Sequence, residues 1–433
     1  MKDIIDRLIK NKNVLVLGYG REGHSTLRML RSIGSAEMLA VADARDISTE
    51  VPDDVSTFTG EHYLDVIDMF DVVFKTPGIV LPMSPENYKC MITSQTEIFM
   101  ERFKKQIVGI TGTKGKSTTS SLLYHVLTES GKPALFAGNI GIPVFDIAEE
   151  VKEDSIIVIE LSCHQLEYAV TSPGRAVLLN IYEDHLDHYG TREKYAAAKR
   201  NIFLNQGSED VLYTTSEALE GFKPASRVEL ITKEDAPVKS FREIPDCRLK
   251  GEHNLLNAAF VYKVACEYGV SEAEFKDALS TFRPLPHRLE LIGKIDGVDY
   301  YDDSISTTVK STISAVESIE NAKILLVGGM ERNIDYTELV EYLKTSRLSS
   351  IICMYESGKR IFDMYEKTSK NEETAPRAIL TTDLSEAVSY AKKLAKEGDA
   401  CLLSPAAASY GYFKNFEERG DAFKKLVSME LYV

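Results

Sequence analysis

Short apolar runs recur along the chain, and helix-length segments of mixed polarity separate them. Such runs, when glycine or polar residues bound them, are typical of strands that are buried on both faces of a parallel sheet. Strands that alternate with helix-length segments form βαβ units. The pattern of hydrophobic and polar positions therefore predicts an α/β fold with parallel sheets.

The strand-and-helix pattern starts afresh at three places, which predicts three domains. The first start is NVLVLGYG at 13–20, the second is QIVGITGTKGKS at 106–117, and the third lies near RLELIGKIDGVDYYDDS at 288–304. The segment RPLPHR at 283–288 contains two prolines and suits a hinge. In residues 205–248 hydrophobic and polar positions alternate only weakly, so this stretch predicts secondary structure least clearly.

Further apolar runs supply the remaining predicted strands of each domain. They are MLAVAD (38–43), DVVFKTPGI (71–79), SIIVIELS (155–162), AVLLNI (176–181), AKILLVGG (322–329), SIICMY (350–355), RAILTT (377–382) and ACLLSP (400–405). We place the three α/β domains at residues 1–96, 97–285 and 286–433.

The composition is that of an ordinary soluble globular protein and narrows the classes of partner. The 433 residues are 44% hydrophobic and 27% charged, and the formal net charge is −15. Acidic proteins are poor partners for nucleic acids, but small anionic ligands need only local positive charge. No stretch has the roughly 18 apolar residues of a membrane span, and the six cysteines include no C-x-x-C pair. We expect a cytoplasmic monomer with free thiols and no membrane or nucleic-acid partner.

The first glycine loop follows the first predicted strand. Gly18, Gly20 and Gly23 fit the pattern G-x-G-x-x-G, and Asp43 ends the next predicted strand. This arrangement is a dinucleotide fingerprint, since glycines let the backbone approach a pyrophosphate and a helix N-terminus attracts it. The same geometry suits another nucleotide, such as a UDP pyrophosphate, or a mere tight turn. The loop alone leaves these alternatives open.

The second glycine loop, GTKGKST, lies between a predicted strand and a helix. Gly112, Gly115, Lys116 and Ser117 form a tighter version of the P-loop, because isoleucine occupies position 110. In such a loop the backbone N–H groups and the lysine meet phosphate charge, and a hydroxyl of Ser117 or Thr118 reaches Mg²⁺. The alternative is a glycine-rich turn with an incidental lysine.

A P-loop that binds ATP needs a carboxylate for the metal, and Glu160 ends the predicted strand SIIVIE. The alternative is a buried glutamate with another partner, which is unfavourable because an unpaired buried charge is costly.

A set of motifs along the whole chain resembles the Mur ligases. Within that family it is most similar to the members that join D-glutamate to UDP-N-acetylmuramoyl-L-alanine in peptidoglycan synthesis. The motifs are GYGREG (18–23), KTPGI (75–79), GTKGKST (112–118), IELSCHQLE (159–167), NIYEDHLDHYG (180–190), YAAAKRNIF (195–203), GEHNLLNAAF (251–260), LPHRLE (285–290), DDSISTT (302–308) and FKNFEERG (413–420).

The resemblance implies an architecture and a reaction. It implies a Rossmann-like N-terminal domain for the UDP-sugar, a central P-loop ATPase-like domain with a parallel sheet, and a Rossmann-like C-terminal domain that binds the amino acid and closes on ATP. It also implies an ATP-dependent ligase that forms an amide bond through an acyl phosphate. The implied ligands are UDP-N-acetylmuramoyl-L-alanine, D-glutamate, ATP and two Mg²⁺ ions.

The resemblance also implies roles for individual residues at the reaction centre. The catalytic residues are Lys116, His185 and Lys199, and Lys199 is implied to carry a carbamate that supports the second metal. The metal ligands are Ser117, Glu160, His185 and Lys199. The ATP-binding residues are Gly112, Thr113, Lys114, Gly115, Lys116, Ser117, Thr118, Asn254, Asn257, Arg288 and Asp303, with His287 beside them. For His188, three residues after His185, we expect a solvated role.

The implied substrate contacts fall into two groups. Residues of the first domain and Asn139 meet the UDP-sugar; they are Arg21, Glu22, Asp43, Arg45, Thr76, Gly78 and Asn139. Residues of the third domain meet the amino acid; they are Thr307, Arg332, Ser409 and Phe416.

The chain departs from the family pattern at Ile305, Cys163 and His164, and Arg332 stands where a lysine is common. Ile305 stands where many members carry a lysine, so a cation expected near phosphate or carboxylate is missing. Either Lys310 or Arg332 compensates, or the amino-acid pocket differs. Cys163 and His164 replace two small or apolar residues, and neither is assigned a catalytic role.

Other function classes explain only parts of the chain. An NAD-dependent oxidoreductase would use the first loop and leave Lys116 and Glu160 without a role. A regulatory P-loop NTPase would not need the first loop, and a folylpolyglutamate-type ligase should lack both that loop and FKNFEERG. A non-enzymatic binding module would not need both a P-loop lysine and a metal carboxylate.

Overall fold

The computed structural model describes residues 1–249, 251–332, 334–369 and 375–429. Within these residues the strands form three sheets, which include the predicted apolar runs and five further strands. The chain folds as two compact units, Met1–Lys239 with Leu255–Leu279, and Ser240–Asn254 with Ser280–Val433. The first unit contains the first two sheets, so the boundary near residue 96 stays a prediction.

The N-terminal sheet is fully parallel in the order β3-β2-β1-β4-β5. Its elements are α1 (Lys2–Ile9), β1 (Asn13–Leu17), α2 (Arg21–Ile33), β2 (Met38–Asp43), β3 (Ser56–Thr59), β4 (Val72–Lys75), β5 (Met91–Thr93) and α3 (Gln95–Phe103). The central strands β1 and β4 are almost wholly buried, as expected for apolar runs covered on both faces.

The central sheet is also parallel, in the order β11-β10-β9-β6-β8-β7. Its elements and those that follow are β6 (Ile107–Thr111), α4 (Lys116–Glu129), β7 (Ala134–Gly138), β8 (Ile156–Glu160), α5 (Cys163–Leu166), β9 (Arg175–Leu178), α6 (Leu186–Tyr189), α7 (Arg192–Leu204), β10 (Val211–Thr214), α8 (Ser216–Leu219), β11 (Arg227–Leu230), α9 (Glu252–Glu267) and α10 (Glu272–Thr281). One apolar core joins the two sheets of the first unit, with Val16 and Phe99 at one end and Leu178 and Phe203 at the other.

The third sheet belongs to the second unit and has the order β12-β13-β17-β14-β15-β16. Its elements are β12 (Glu290–Ile295), β13 (Val298–Asp302), α11 (Val309–Ser318), β14 (Ala322–Val327), α12 (Thr337–Thr345), β15 (Ser350–Met354), α13 (Tyr355–Ser369), β16 (Arg377–Thr381), α14 (Leu384–Leu394), β17 (Ala400–Leu403) and α15 (Phe416–Ser428).

The segment 288–304 differs from the expected buried parallel strand. It forms a hairpin in which β12 runs antiparallel to β13, and β12 is only partly buried. The two turn residues, Asp296 and Gly297, both have positive φ, at 51° and 78°. An Asp-Gly pair of this kind is the preferred two-residue hairpin turn, and it reverses the chain before the parallel strands begin.

Candidate active site

The first glycine loop follows β1, and its glycines are needed for close packing. Gly18 has φ of 92°, and a Cβ there would lie 2.1 Å from the Thr76 hydroxyl. A Cβ on Gly23 would lie 2.1 Å from the carbonyl oxygen of Gly18. A Cβ on Gly20 would meet nothing within 4 Å. Two glycines therefore shape the turn, while Gly20, at the start of α2, leaves the backbone open to a ligand.

Four side chains that we predicted to line the UDP-sugar pocket form hydrogen bonds or ion pairs within the protein. Arg21 donates to the carbonyl oxygens of Asn139 (3.0 Å) and Gly141 (3.3 Å). The Glu22 carboxylate accepts from Gln95 at 3.0 Å and from Gln165 at 2.7 Å, and burial raises its pKa.

Asp43 accepts from the backbone N–H groups of Tyr19 (2.7 Å) and Arg45 (2.8 Å) and pairs with the Arg45 guanidinium. Burial alone would raise the pKa of Asp43, but these hydrogen bonds outweigh burial, so that the pKa is lowered. Asp43 and Arg45 thus fix the shape of the loop around Tyr19.

A cavity of about 990 Å³ lies in the first unit, beside the carboxyl end of β4 at Lys75. Its lining includes Lys75, Pro77, His164 and Gln165. The Thr76 hydroxyl donates to the carbonyl oxygen of Leu17 at 3.0 Å, so the KTPGI segment is fixed against the first loop. Gly78 has open space where a side chain would stand. The cavity is as large as a pocket for a drug-sized ligand.

The P-loop joins β6 to α4 as predicted. Gly115 precedes the helix with φ of 88°, and a Cβ there would lie 2.6 Å from the Asn257 side-chain oxygen. The Lys116 ammonium lies over the loop and donates to the carbonyl oxygens of Gly112 (2.9 Å) and Thr113 (3.0 Å). Ser117 is buried and Thr118 half-buried in the first turn of α4.

Asn180 holds the P-loop and was not singled out from the sequence. Its side-chain oxygen accepts from the backbone N–H groups of Thr113 (3.1 Å) and Lys114 (2.9 Å), and its amide donates to the Lys114 carbonyl (3.0 Å). The Tyr195 hydroxyl donates to Thr113 Oγ1 at 3.1 Å. The position of Asn180, two residues after β9, was the available signal, because ligand sites lie at the carboxyl ends of parallel strands.

Glu160 ends β8, directly beside the P-loop strand, with Ile110 as its register partner. Its side chain is buried, and Oε1 accepts from the Asn139 amide at 2.7 Å. Oε2 has no hydrogen-bond partner among the described residues. A buried carboxylate oxygen that has no donor among the described residues, at the end of the strand beside the P-loop strand, fits a hard cation such as Mg²⁺.

Lys199 is buried in α7, and its ammonium donates to the Gly112 carbonyl at 2.8 Å. The Tyr195 ring lies 4.8 Å from Lys199 Nζ. Burial, with a further contribution from nearby Lys116, lowers the pKa of Lys199 to about 7. A substantial fraction of this amine is therefore neutral and nucleophilic near neutral pH.

His185 lies at the edge of the same cluster with positive φ (53°), and partial burial lowers its pKa. Its ring centroid is 5.0 Å from that of His164 and 5.9 Å from that of Tyr195. A neutral imidazole at this place has the form that ligates metals.

The solvated role expected for His188 is wrong. Its ring nitrogen lies 3.2 Å from the Glu167 carboxylate, and both side chains are largely buried. The edge-to-face contact of His188 with His164, at 4.5 Å between centroids, adds to this packing. The Glu167 carboxylate and the neighbouring aromatic rings keep the His188 imidazole largely buried. The spacing of the histidines in the sequence does not predict this burial.

The second unit carries Asp303 at the end of β13. Asp303 is buried, and its carboxylate accepts from the Ser404 hydroxyl at 2.7 Å and the Leu289 N–H at 3.2 Å. Burial raises the pKa of Asp303 to about 6, although Ser306, Ser404 and Arg288 oppose this shift. His287 lies in the segment before β12, and its Nδ1 is 2.7 Å from Oδ2 of Asp302, the residue before Asp303.

The residues predicted for the amino acid also follow strands of the third sheet. Arg332 lies over the Tyr410 ring at 5.5 Å from its centroid, next to buried Ser409. Thr307 follows Asp303 in the loop to α11, and Phe416 begins α15. Lys310, the other candidate to compensate for Ile305, is exposed in α11. Of the two cations, Arg332 is therefore the one held beside a predicted substrate residue.

The two asparagines predicted to meet ATP lie three residues apart on α9. Both Asn254 and Asn257 are buried. The Asn257 side chain lies against the P-loop, as its closeness to Gly115 shows. No helix among the described residues is long and apolar enough to cross a membrane.

Known proteins resemble this chain along nearly its whole length. Family models match residues 110–233, as the Mur ligase middle domain, and residues 287–407, as the Mur ligase glutamate ligase domain. The chain is 33% identical to a UDP-N-acetylmuramoylalanine--D-glutamate ligase of Clostridium botulinum (strain 657 / Type Ba4), over 97% of both chains. It is also 33% identical to the ligase of that name from Clostridium acetobutylicum, over 98% of this chain and 97% of that one.

Solved structures share the fold at lower identity. The MurF ligase of Thermotoga maritima in complex with ADP is 19% identical, with a TM-score of 0.60, over 98% of this chain and 96% of that one. The UDP-N-acetylmuramate-alanine ligase MurC of Thermotoga maritima is 18% identical, with a TM-score of 0.58, over 96% of this chain and 98% of that one. The expected three-domain α/β fold is thereby confirmed, and the chain belongs to the Mur ligase family.

Proposed function

We propose that this protein joins D-glutamate to UDP-N-acetylmuramoyl-L-alanine and converts ATP to ADP and phosphate, a cytoplasmic step of peptidoglycan synthesis. The reaction class follows from the family, whose members are ATP-dependent amide-bond ligases. The choice of amino acid is supported by the 33% identity, over 97% of both chains, to D-glutamate ligases. The observation that carries the proposal is the P-loop beside the partnerless carboxylate oxygen of Glu160.

The chemistry has two steps and needs no nucleophile from the protein. The alanine carboxylate of the UDP-sugar attacks the γ-phosphorus of ATP, which gives an acyl phosphate and ADP. The amine of D-glutamate then attacks the acyl carbon, loses a proton and expels phosphate. Catalysis of this kind consists of positioning the reactants and neutralising developing negative charge.

The P-loop side chains act on the ATP phosphates. The Lys116 ammonium already lies over the loop carbonyls, where it would neutralise the β- and γ-phosphates. Gly112, Thr113, Lys114 and Gly115 would supply backbone N–H groups, and Asn180 fixes the loop for this task. For the remainder of the nucleotide we propose contacts from Asn254, Asn257, Arg288 and Asp303.

We propose Ser117, with Thr118 as the alternative hydroxyl, and Glu160 as ligands of one Mg²⁺. When bound there, Mg²⁺ supplies positive charge that offsets the charge of the phosphates. The buried oxygen of Glu160 would then gain a partner that none of the described residues provides.

His185 and Lys199 are proposed for a second Mg²⁺, with Lys199 as a carbamate. Carbamate formation requires a neutral amine, and the pKa of about 7 makes that form available at neutral pH. The product is an anion, which converts a buried cation into a group able to hold a metal. The nearby Lys116 ammonium, which lowers the pKa of Lys199, would favour that anion.

The UDP-sugar is proposed to bind in the first unit. Its pyrophosphate would meet the N-terminus of α2 at Gly20 and Arg21, inside the turn built by Asp43 and Arg45. The sugar would pass Thr76, Gly78 and Asn139, and the nearby cavity offers space for it. Glu22, which is bonded to Gln95 and Gln165, would support this path.

D-Glutamate is proposed to bind to the second unit at Thr307, Ser409 and Phe416. Arg332 would bind one carboxylate through its planar guanidinium, in place of the lysine that Ile305 replaces. We propose that the protein works as a monomer.

Phosphate release from ATP, measured with UDP-N-acetylmuramoyl-L-alanine and different amino acids, tests the proposal. Release should depend on D-glutamate and stay at the background level with L-glutamate, D-aspartate or no amino acid. Release only with another amino acid would keep the mechanism and contradict the assigned substrate. No release with any of them, from folded protein, would contradict the proposed ligation.

A further inference from the structure

Arg419 is the largest fully buried side chain among the described residues. It lies in the first turn of α15, with its exposed fraction at 0%. Burial of a guanidinium is costly unless a carboxylate compensates its charge. The N-terminal turn of a helix adds to this cost, because the helix dipole is positive there.

No carboxylate pairs with this guanidinium at ion-pair distance in the described part of the chain, although burial leaves its pKa at about 10 and hence its charge intact at neutral pH. Its partners are neutral instead. Nε donates to the Ser304 hydroxyl at 3.0 Å, Nη2 to the Ser304 carbonyl at 2.7 Å, and Nη1 to the Ala407 carbonyl at 3.1 Å. Gly329 leaves room for this side chain, since a Cβ there would lie 3.0 Å from Nη1.

The three bonds tie together the loops that carry the proposed amino-acid contacts. Ser304 lies between Asp303 and Thr307 after β13, and Ala407 precedes Ser409 after β17, the parallel neighbour of β13. The Ser304 hydroxyl in turn donates to the Phe416 carbonyl at 2.8 Å. One guanidinium thus fixes both loops and the start of α15.

The buried carboxylates of Asp302 and Asp303 lie near enough to offset part of the charge of Arg419, so this side chain acts on the loops through its hydrogen bonds. Ile305, in the same loop, contributes no charge where many relatives carry a lysine.

We propose that Arg419 is a positioning residue for the amino-acid substrate: its planar fork holds the loops at Ser304 and Ala407 in the one geometry that the proposed amino-acid contacts require. This inference rests on the proposed function, because it concerns the amino acid of that reaction. Arg419 touches no substrate itself and acts through the two loops.

Steady-state kinetics of Arg419→Lys and Arg419→Met test the proposal, with Lys425→Met, an exposed position of the same helix, as the matched control. Arg419→Met should raise KM for D-glutamate by about tenfold or more and leave KM for UDP-N-acetylmuramoyl-L-alanine within about twofold, since that substrate binds the first unit. Arg419→Lys keeps the charge and loses the fork, so it should raise KM for D-glutamate to a similar degree as Arg419→Met, and wild-type KM in Arg419→Lys would overturn the role of the fork. Lys425→Met should match the wild type in every constant.

A merely structural role would give a different result. Arg419→Met would then lower kcat in proportion to the folded fraction, measured by circular dichroism, with KM for D-glutamate unchanged, and that outcome would overturn the proposal. If Arg419→Met does not fold, Ser304→Ala removes one of the three bonds; KM for D-glutamate should rise about threefold, and an unchanged value would overturn it. Wild-type protein that releases no phosphate with D-glutamate would instead contradict the proposed function.

Discussion

Lys199 and Glu160 are buried ionisable side chains that determine what the centre of the first unit can do chemically. Glu160 has one carboxylate oxygen without a donor, and Lys199 has a pKa lowered to about 7 by burial. A cation site and a reactive amine are the chemical consequences of these two environments. Both are produced by long-range packing, around residues that lie far apart in the sequence.

Lys199 should make activity dependent on CO₂. Protein depleted of CO₂ should regain D-glutamate-dependent phosphate release on addition of bicarbonate. At equal concentrations of dissolved CO₂, the regain should be faster one pH unit above the pKa of about 7 than one unit below it, because the neutral amine predominates above the pKa and is the form that reacts with CO₂. Lys199→Met should abolish the response, and mass spectrometry after trapping should detect the carbamate in the wild type.

Lys194→Met is a matched control, since Lys194 is an exposed lysine of the same helix. Its activity should respond to bicarbonate as the wild type does. Wild-type activity that does not depend on CO₂, together with an active Lys199→Met variant, would rule out the carbamate.

The residues of the site differ in how far the sequence reveals them. Lys116 and Ser117 lie in one contiguous motif between a strand and a helix, so the local pattern identifies them. Lys199 has the sequence context of an exposed helical lysine, and only the packing of α7 against the P-loop buries it. The hydrogen bonds from Asn180 to the P-loop form because β6 and β9 end side by side, and the sequence around Asn180 carries no motif that predicts them.

At the level of elements, the P-loop shows how backbone strain and close packing act together. Gly115 has left-handed φ and lies against Asn257, so an alanine there meets two obstacles. Gly131, just after the end of α4, has φ of 69° and open space around its Cβ position. Alanine at Gly131 therefore measures the free-energy cost of the left-handed backbone alone, and alanine at Gly115 measures that cost together with the clash against Asn257.

Gly115→Ala should lower ATP affinity by about tenfold or more and destabilise the fold by roughly 1–3 kcal/mol, because the loop must shift away from Asn257. Gly131→Ala should cost stability through its backbone alone and bind ATP as the wild type does. Calorimetric ATP titration and thermal unfolding measure the two effects. Wild-type ATP affinity in Gly115→Ala would show that the loop does not hold the nucleotide in this conformation.

The elements that the hydrophobic pattern predicts are the strands buried on both faces, such as β1, β6 and β14. The strands that it misses are mainly sheet edges, where one side lacks a neighbour and the burial pattern is broken; they are β3, β5, β7 and β11. The interior strand β10 is missed because it is only four residues long and lies in the weakly patterned stretch 205–248. Edge strands need less apolar surface, so their sequences carry less signal.

At the scale of the whole molecule, two phosphate-type loops in one unit imply two nucleotides. The first loop is shaped by Gly18 and Gly23 against Thr76, and the second is held by Asn180. A ligase that activates a UDP-linked carboxylate with ATP requires both. The third sheet is the proposed source of the amino-acid contacts, with Arg332 as a proposed ligand and Arg419 as the residue that holds the loops.

Mass spectrometry of the complete reaction, alongside the phosphate assay, directly tests the proposed ATP-dependent ligation. With ATP, Mg²⁺, UDP-N-acetylmuramoyl-L-alanine and D-glutamate, the UDP-sugar should gain one glutamate residue, in an amount equal to the phosphate released. Phosphate without the extended UDP-sugar would mean that the second loop hydrolyses ATP independently of ligation, and would contradict the function proposed for both loops.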